Sequence, residues 1–437
     1  MQETVSIQDP KVPELKRAIA VGVLTDSRHR DELDEHLREL ALLADTAGFE
    51  VVSTVVQERK AIDPATFIGS GKVAEIAALT EELSVEAVIF DDDLSPSQGR
   101  NLEEAIQKPV TDRTGLILDI FASRARTREA KTQVELARLQ YLLPRLTGLW
   151  SHFTRQRGGV GMRGEGETQL EMDRRMTKTR IAELRRELEH IRRQAETRRQ
   201  GRSEAYQVSL VGYTNAGKST LMNALTQAGV LAENRLFATL DASMRTLALP
   251  SGESVILTDT VGFIRKLPPN LVASFRSTLD EITDADLVLH VVDASHPAFQ
   301  DHIEATNLVL DEIGAAETPT VMVFNKIDQL DGSGGLERLR QLYPTSVAIA
   351  ARDGLGLDQL LATIQTHYEA GRREVRLRLG PSQQKAISLL HQRGRVQDMT
   401  YDDDGHTLMR VLISPKDLGQ IHAEVGHDLE MVPGDRP

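Results

Sequence analysis

The sequence predicts a multidomain α/β protein: a doubly wound parallel sheet, preceded by a smaller parallel α/β domain and a helical hairpin and followed by a small α+β domain. Three observations predict it. Short apolar strands alternate with amphipathic helices from Arg17 to about Leu118. A strand, a glycine-framed loop and a helix follow one another from Gln207 to Leu225. Between these regions lies a long helical pattern rich in arginine. A chain of 437 residues is too long for one ordinary core, and the composition shifts divide it at 1–122, 123–202, 203–371 and 372–437.

Bulk properties exclude several classes. Hydrophobic content of 40% with 27% charged residues describes a soluble globular chain, and a formal net charge of -13 argues against a surface that coats nucleic acid throughout. Any RNA contact must then come from a local basic segment. The absence of cysteine removes disulfides, thiolate catalysis and cysteine-based zinc sites. The longest N-terminal apolar run, Ala18 to Leu24, is too short to cross a membrane and follows no basic leader. The expectation is a cytoplasmic monomer with at most a peripheral membrane fraction, and with neither membrane nor DNA as a partner.

In the first region Ala18 to Leu24 reads as a strand. Leu33, Leu37, Leu40, Ala44 and Ala47 then recur at spacings of three and four, the apolar face of a helix. A strand from Val51 to Val56, a helix near Lys72 to Leu83 and a strand from Ala87 to Phe90 continue the arrangement. From Ser123 one long helical stretch, punctuated by Arg124, Arg126, Arg128, Lys131, Arg138 and Arg145, ends at Pro144. Glycines dominate Gly158 to Gly166. A second long helix is expected from Thr168 to Arg199, with Ile181, Leu184, Leu188, Ile191 and Ala195 spaced as a coiled-coil seam. Together these predict an antiparallel hairpin with a glycine-rich tip.

Between Glu171 and Arg202 eleven basic residues oppose six acidic ones, a net of +5 in an otherwise acidic chain. Two readings stand: a solvated helix face with paired charges, or an element that faces nucleic acid. The RNA-facing candidates are Arg155, Arg157, Gly158, Gly159, Arg163, Arg174 and Arg175. Beyond Arg372 the pattern is strand, helix, strand, strand, helix, with Asp402 to Gly405 as a hairpin turn.

The phosphate site is read from Gly212, Tyr213, Thr214, Asn215, Ala216, Gly217, Lys218, Ser219 and Thr220, placed between a strand and a helix. The two glycines permit a backbone path whose N–H groups converge on phosphates, and the helix start adds partial positive charge. Lys218 would reach the β and γ phosphates. Ser219 would place its hydroxyl on magnesium. Asp259, Thr260, Val261 and Gly262 close the strand Val255 to Leu257, which pairs through Pro250 to Glu253 with Met244 to Leu249. Asp259 is assigned to magnesium through water and the Gly262 N–H to the γ-phosphate. Upstream, Phe237, Ala238, Thr239, Leu240 and Asp241 form a loop able to close over a nucleotide, with Thr239 as the second protein ligand for magnesium.

A strand from Val321 to Phe324 leads to Asn325, Lys326, Ile327 and Asp328. A carboxylate there can accept from both the ring N–H and the amino group of guanine, and adenine offers no such pair. Asn325 would tie this loop to the phosphate loop, and the stem of Lys326 would lie along the base. After a last strand from Ser346 to Ile349 come Ala350, Ala351 and Arg352, with the Ala351 N–H facing the guanine oxygen.

Residues Gly212 to Ala351 resemble a P-loop GTPase of the translation-factor class, and the flanks resemble the ribosome-associated HflX family. The strings that carry this are Phe90 to Gln98, Asp112 to Phe121, Gln133 to Ala137, Tyr141 to Arg145, Gly164 to Glu171 and Phe237 to Asp241. The stretch beyond Arg372 resembles an extra domain found in some members. The resemblance implies GTP as substrate, Mg2+ as cofactor and the large ribosomal subunit and its RNA, or the whole ribosome, as partner. It implies splitting or rescue of stalled ribosomes, with the glycine-rich tip reaching RNA near the peptidyl-transferase region. In two respects the pattern departs from common GTPases. Ala350 replaces an expected serine, and Phe263 stands where a water-orienting glutamine often sits, so intrinsic hydrolysis should be slow. Asn215 matches an asparagine that coordinates K+ in related loops; the other reading is that it only braces the loop.

Two further functions stay open: a hibernation or assembly factor with incidental hydrolysis, and ATP-dependent RNA remodelling by the N-terminal region. Phe67 to Lys72 resembles a miniature phosphate loop or a plain glycine turn, and Gly159 to Gly164 formally matches a dinucleotide fingerprint without closing a strand–helix turn. No histidine spacing suggests a transition-metal site.

Overall fold

The computed structural model describes residues 15–25, 29–146, 163–200, 205–226, 236–237, 239–240, 242–266, 276–330, 332–381, 383–425 and 430–431. The chain divides into two compact units. One comprises 1–192, 233–241 and 261–279; the other comprises 193–232, 242–260 and 280–437.

The first unit opens with β1 (Lys16–Leu24), α1 (Arg30–Thr46), β2 (Phe49–Glu58), α2 (Ser70–Glu82), β3 (Ala87–Phe90), α3 (Pro96–Ile106) and β4 (Val110–Asp112). Its four strands are all parallel, in the order β2-β1-β3-β4. Strands β1 and β3 read as unbroken apolar runs because a parallel sheet is buried on both faces. Leu33, Leu37, Leu40 and Ala44 of α1 are buried as their spacing predicts, and Ala47 is the helix cap. Helix α3, which periodicity alone did not mark, begins at a reciprocal cap in which Ser95 accepts from the Gln98 N–H and Gln98 from the Ser95 N–H.

The long helix expected from Ser123 to Pro144 is two helices, α4 (Arg113–Arg124) and α5 (Arg128–Leu142). Ala125 turns extended, and the Thr127 hydroxyl accepts from the Ala130 N–H at 3.1 Å, so a new helix starts where the old one would have continued. The returning helix α6 (Arg163–Gln200) begins before the expected Thr168 and includes Gly164 and Gly166. Glycine costs a helix roughly 1 kcal/mol per residue, which a long helix absorbs. Leu184 and Ile181 are buried against Leu136, Leu139 and Leu143, with Leu188 packed beside them, which realises the predicted seam. Arg128 pairs with Glu187 at 2.7 Å and Arg180 with Glu135 at 2.8 Å, so numbers rise along α5 as they fall along α6. The hairpin is therefore antiparallel. Arg155, Arg157, Gly158 and Gly159 lie outside the described residues; Arg163 opens α6, and Arg174 and Arg175 are exposed along it.

The second unit contains β5 (Gln207–Val211), α7 (Lys218–Thr226), β6 (Ser243–Ala248), β7 (Ser254–Asp259), α8 (Arg276–Thr283, entering from the first unit), β8 (Leu287–Asp293), α9 (Phe299–Glu312), β9 (Thr320–Asn325), α10 (Gly332–Leu342), β10 (Val347–Ala348) and α11 (Leu357–Ala370). The six strands run β10-β9-β8-β5-β7-β6, parallel except for β6, which pairs with β7 as the predicted hairpin. A separate antiparallel sheet, β12-β13-β11-β14, follows, built from β11 (Arg373–Leu379), α12 (Gln384–Arg393), β12 (Arg395–Tyr401), β13 (Thr407–Ile413), α13 (Pro415–Val425) and β14 (Glu430–Met431). The fourth strand is an addition to the sequence pattern. Asp402 shapes its hairpin turn by accepting from the N–H groups of Asp404 and His406. No described helix is long and apolar enough to cross a membrane.

Candidate nucleotide site

The phosphate loop leaves the end of β5, which β7 and β8 flank, where ligands of a doubly wound sheet bind. Its two framing glycines are required by contact. A Cβ on Gly212, whose φ is 146°, would meet the Val291 carbonyl oxygen at 2.1 Å, and one on Gly217, φ 95°, would meet Asn325 Nδ2 at 2.2 Å. Asn215 crosses the apex in the left-handed region, φ 60°.

Lys218 starts α7 with its Nζ folded back onto the carbonyls of Gly212 and Tyr213, at 3.0 and 2.9 Å. Burial pushes its amine down to about 8, with the Asp259 carboxylate pulling the other way. His290, one strand away on β8, is pushed down to about 4 by burial and then by the Lys218 charge. Phosphate would restore the lysine's ordinary range, so binding takes up a proton at mildly basic pH. Affinity for GDP should therefore fall about fourfold from about pH 7 to about pH 8.5. Titration of the full chain with a fluorescent GDP tests this; Lys218→Arg, which does not titrate there, should abolish the pH dependence.

Ser219 Oγ donates to Asp259 Oδ2 at 2.7 Å, and Asp259 is fully buried at the end of β7. A hydroxyl and a carboxylate side by side are the hard oxygen donors that Mg2+ prefers, so these residues fit that ion. It would supply neutralisation of phosphate charge. Thr260 Oγ1 donates to the Leu210 carbonyl at 2.7 Å, which locks the end of β7 to β5. Thr220 sits on the first turn of α7, and Thr214 is buried.

Thr239, with Phe237 and Leu240, belongs to the first unit, where the Phe237 ring meets Phe121 edge-on at 4.6 Å. Ala238 and Asp241 lie outside the described residues. Val261 and Gly262 also belong to the first unit, followed by buried Phe263. Next comes a pair that the sequence reading missed. Lys266 Nζ lies 3.0 Å from Asp91 and 2.7 Å from Asp92, and Arg265 lies 3.5 Å from Glu39. Asp91 and Glu39 also hold the buried guanidinium of Arg113. Burial would raise the Asp91 carboxyl, but His36, Arg113 and Lys266 outweigh it and hold it below the usual carboxylate range. Asp91 follows β3, beside β1, the point where strand order reverses in this sheet. Three acids after a buried strand were the available signal.

Around the base, Asn325 Nδ2 donates to the Ala216 carbonyl at 2.9 Å, the expected tie to the phosphate loop. The Ala351 N–H does not stand free for guanine: it donates to Asn325 Oδ1 at 3.0 Å, so one amide side chain fixes both loops. Lys326, φ 63°, directs its Nζ to Asp293 at 2.6 Å. Ile327 begins a 3-10 turn to Gln329, and Asp328 within it is exposed. Ala350 is buried and Arg352 exposed.

This sheet, with its glycine-framed loop, strand-end aspartate and Asn-Lys-Ile-Asp turn, defines a P-loop GTPase. Residues 34–122 match the family "GTP-binding GTPase N-terminal", 124–202 "GTP-binding GTPase Middle Region" and 207–326 "50S ribosome-binding GTPase". The chain is 51% identical to GTPase HflX of Flavobacterium psychrophilum over 313 residues (72% of this chain, 76% of that protein). Against GTPase HflX of Magnetococcus marinus it is 44% identical, covering 94% of this chain and 95% of that protein. Against that of Escherichia coli K12 it is 45% identical, covering 87% and 90%. The chain belongs to the HflX family of GTPases.

Proposed function

We propose that this chain hydrolyses GTP with Mg2+ held by Ser219 and Thr239 and, through water, by Asp259, and that in its GTP state it binds the large ribosomal subunit and splits stalled ribosomes. One observation supports the coupling most directly. The segment from Val261 that follows Asp259 folds into the same unit as α5 and most of α6, held by Lys266 on Asp91 and Asp92. A change at the Gly262 N–H is thus felt by the unit that bears the exposed Arg174 and Arg175. Arginines on a rigid hairpin engage RNA phosphates, and glycines let backbone approach closely. Lys218 supplies positive charge to the β and γ phosphates, and Phe263 cannot orient a water, so the ribosome is the accelerator.

The test is sucrose-gradient sedimentation of ribosomes with the full chain and GTP, GDP or a non-hydrolysable analogue. Release of free subunits with the analogue, and the chain travelling with the large one, is the expected result. Equal binding with GDP and analogue, without dissociation, would leave a ribosome-binding protein whose nucleotide is incidental. Potassium at Asn215 belongs to the same proposal and is read by exchanging potassium for sodium in the hydrolysis assay.

A further inference from the structure

We propose that His302 is a positioning residue for the phosphate loop, its ring holding the middle of the loop in the shape that receives the nucleotide phosphates; this rests on the nucleotide reading above. The ends of the loop are fixed by backbone geometry at Gly212 against Val291 and by Asn325 at Ala216 and Gly217. The middle turns at Asn215, which adopts the left-handed conformation that asparagine tolerates better than most residues. A side-chain contact beside that turn can hold its shape.

Tyr213, the residue after the first glycine, is buried. Its ring lies parallel to that of His302, with centroids 3.8 Å apart and planes 6° apart. His302 sits on the first turn of α9 and meets His296 at 4.4 Å. His296 Nδ1 in turn accepts from the Ala298 N–H at 3.2 Å, at the start of that helix. The rings thus link the loop to α9 and to the segment leaving the buried strand β8. The Tyr213 carbonyl also accepts from Lys218 Nζ at 2.9 Å, so a turn of the Tyr213 peptide displaces the phosphate-binding amine. His302 acts through Tyr213 on both the loop amides and Lys218.

The test compares His302→Ala, His302→Phe and His302→Leu in the full chain by GDP affinity, by KM and kcat for GTP, and by Tm. An aromatic stack contributes enough beyond its area to change an equilibrium by about 2- to 12-fold. His302→Ala and His302→Leu should weaken GDP binding and raise KM within that range while kcat changes less than about twofold. His302→Phe, which keeps a ring face, should restore wild-type values. Unchanged affinity in His302→Leu, or a Phe variant as weak as the Leu variant at equal Tm, overturns the proposal. If His302→Ala does not fold, the Leu and Phe pair decides. Wild-type protein that binds no GDP would instead overturn the nucleotide reading itself.

Discussion

Asp328→Asn should lose GTP and gain xanthosine triphosphate. The carboxylate accepts from two guanine donors at once, and hydrogen bonds to a charged group contribute about 1.5–3 kcal/mol each. The asparagine oxygen can keep only one of these bonds and its NH2 opposes the other guanine donor, a decrease of at least about 10- to 10²-fold in GTP affinity. An asparagine amide offers one donor and one acceptor, which complement the 2-oxo group and ring N–H of xanthine. Asp328 is exposed in a 3-10 turn, so the substitution should leave Tm near wild type. Competition binding of GTP, XTP and ATP to both proteins gives the answer. Unaltered GTP selectivity in the variant would remove Asp328 from the base site.

Arg113→Ala should strongly destabilise the first unit. Arg113 is almost wholly buried between Asp91 and Glu39, themselves buried, and its removal strips both carboxylates of their shared guanidinium. Breaking a buried ion pair by deleting one partner costs about 3–5 kcal/mol, which for a unit of this size lowers Tm by roughly 10 °C. The pH response should change as well. A carboxyl held low in the fold contributes stability that is present above its unfolded value near 3.9 and is lost as pH falls toward the folded one. Without Arg113 that contribution from Asp91 should shrink, although Lys266 and His36 remain beside it. Calorimetry from about pH 7 down to about pH 2 measures both effects. A Tm within about 2 °C of wild type would mean the pairing contributes little net stability.

Local interactions were legible in the sequence. The phosphate loop, the Asn-Lys-Ile-Asp turn and the strands they follow were found because each depends on nearest neighbours: a glycine at a forced φ, an apolar run buried on both faces, an acid at a strand's end. The break between α4 and α5 was missed because arginine spacing continues through it, while the Thr127 cap that causes it is a single hydroxyl. The direction of the Ala351 N–H was missed because it depends on Asn325, 26 residues earlier in sequence.

By itself the sequence determined the class of nucleotide site and the seam of the hairpin, since these follow from spacing along one chain. Only the tertiary structure decided that the segment after Gly262 folds with the N-terminal sheet, that Arg113 is buried among acids, and that His302 lies against Tyr213. Those pairings join residues 22 to 226 positions apart. Their partners are chosen by which surfaces burial brings together and by the need to compensate each buried charge, and neither leaves a periodic trace in the order of amino acids.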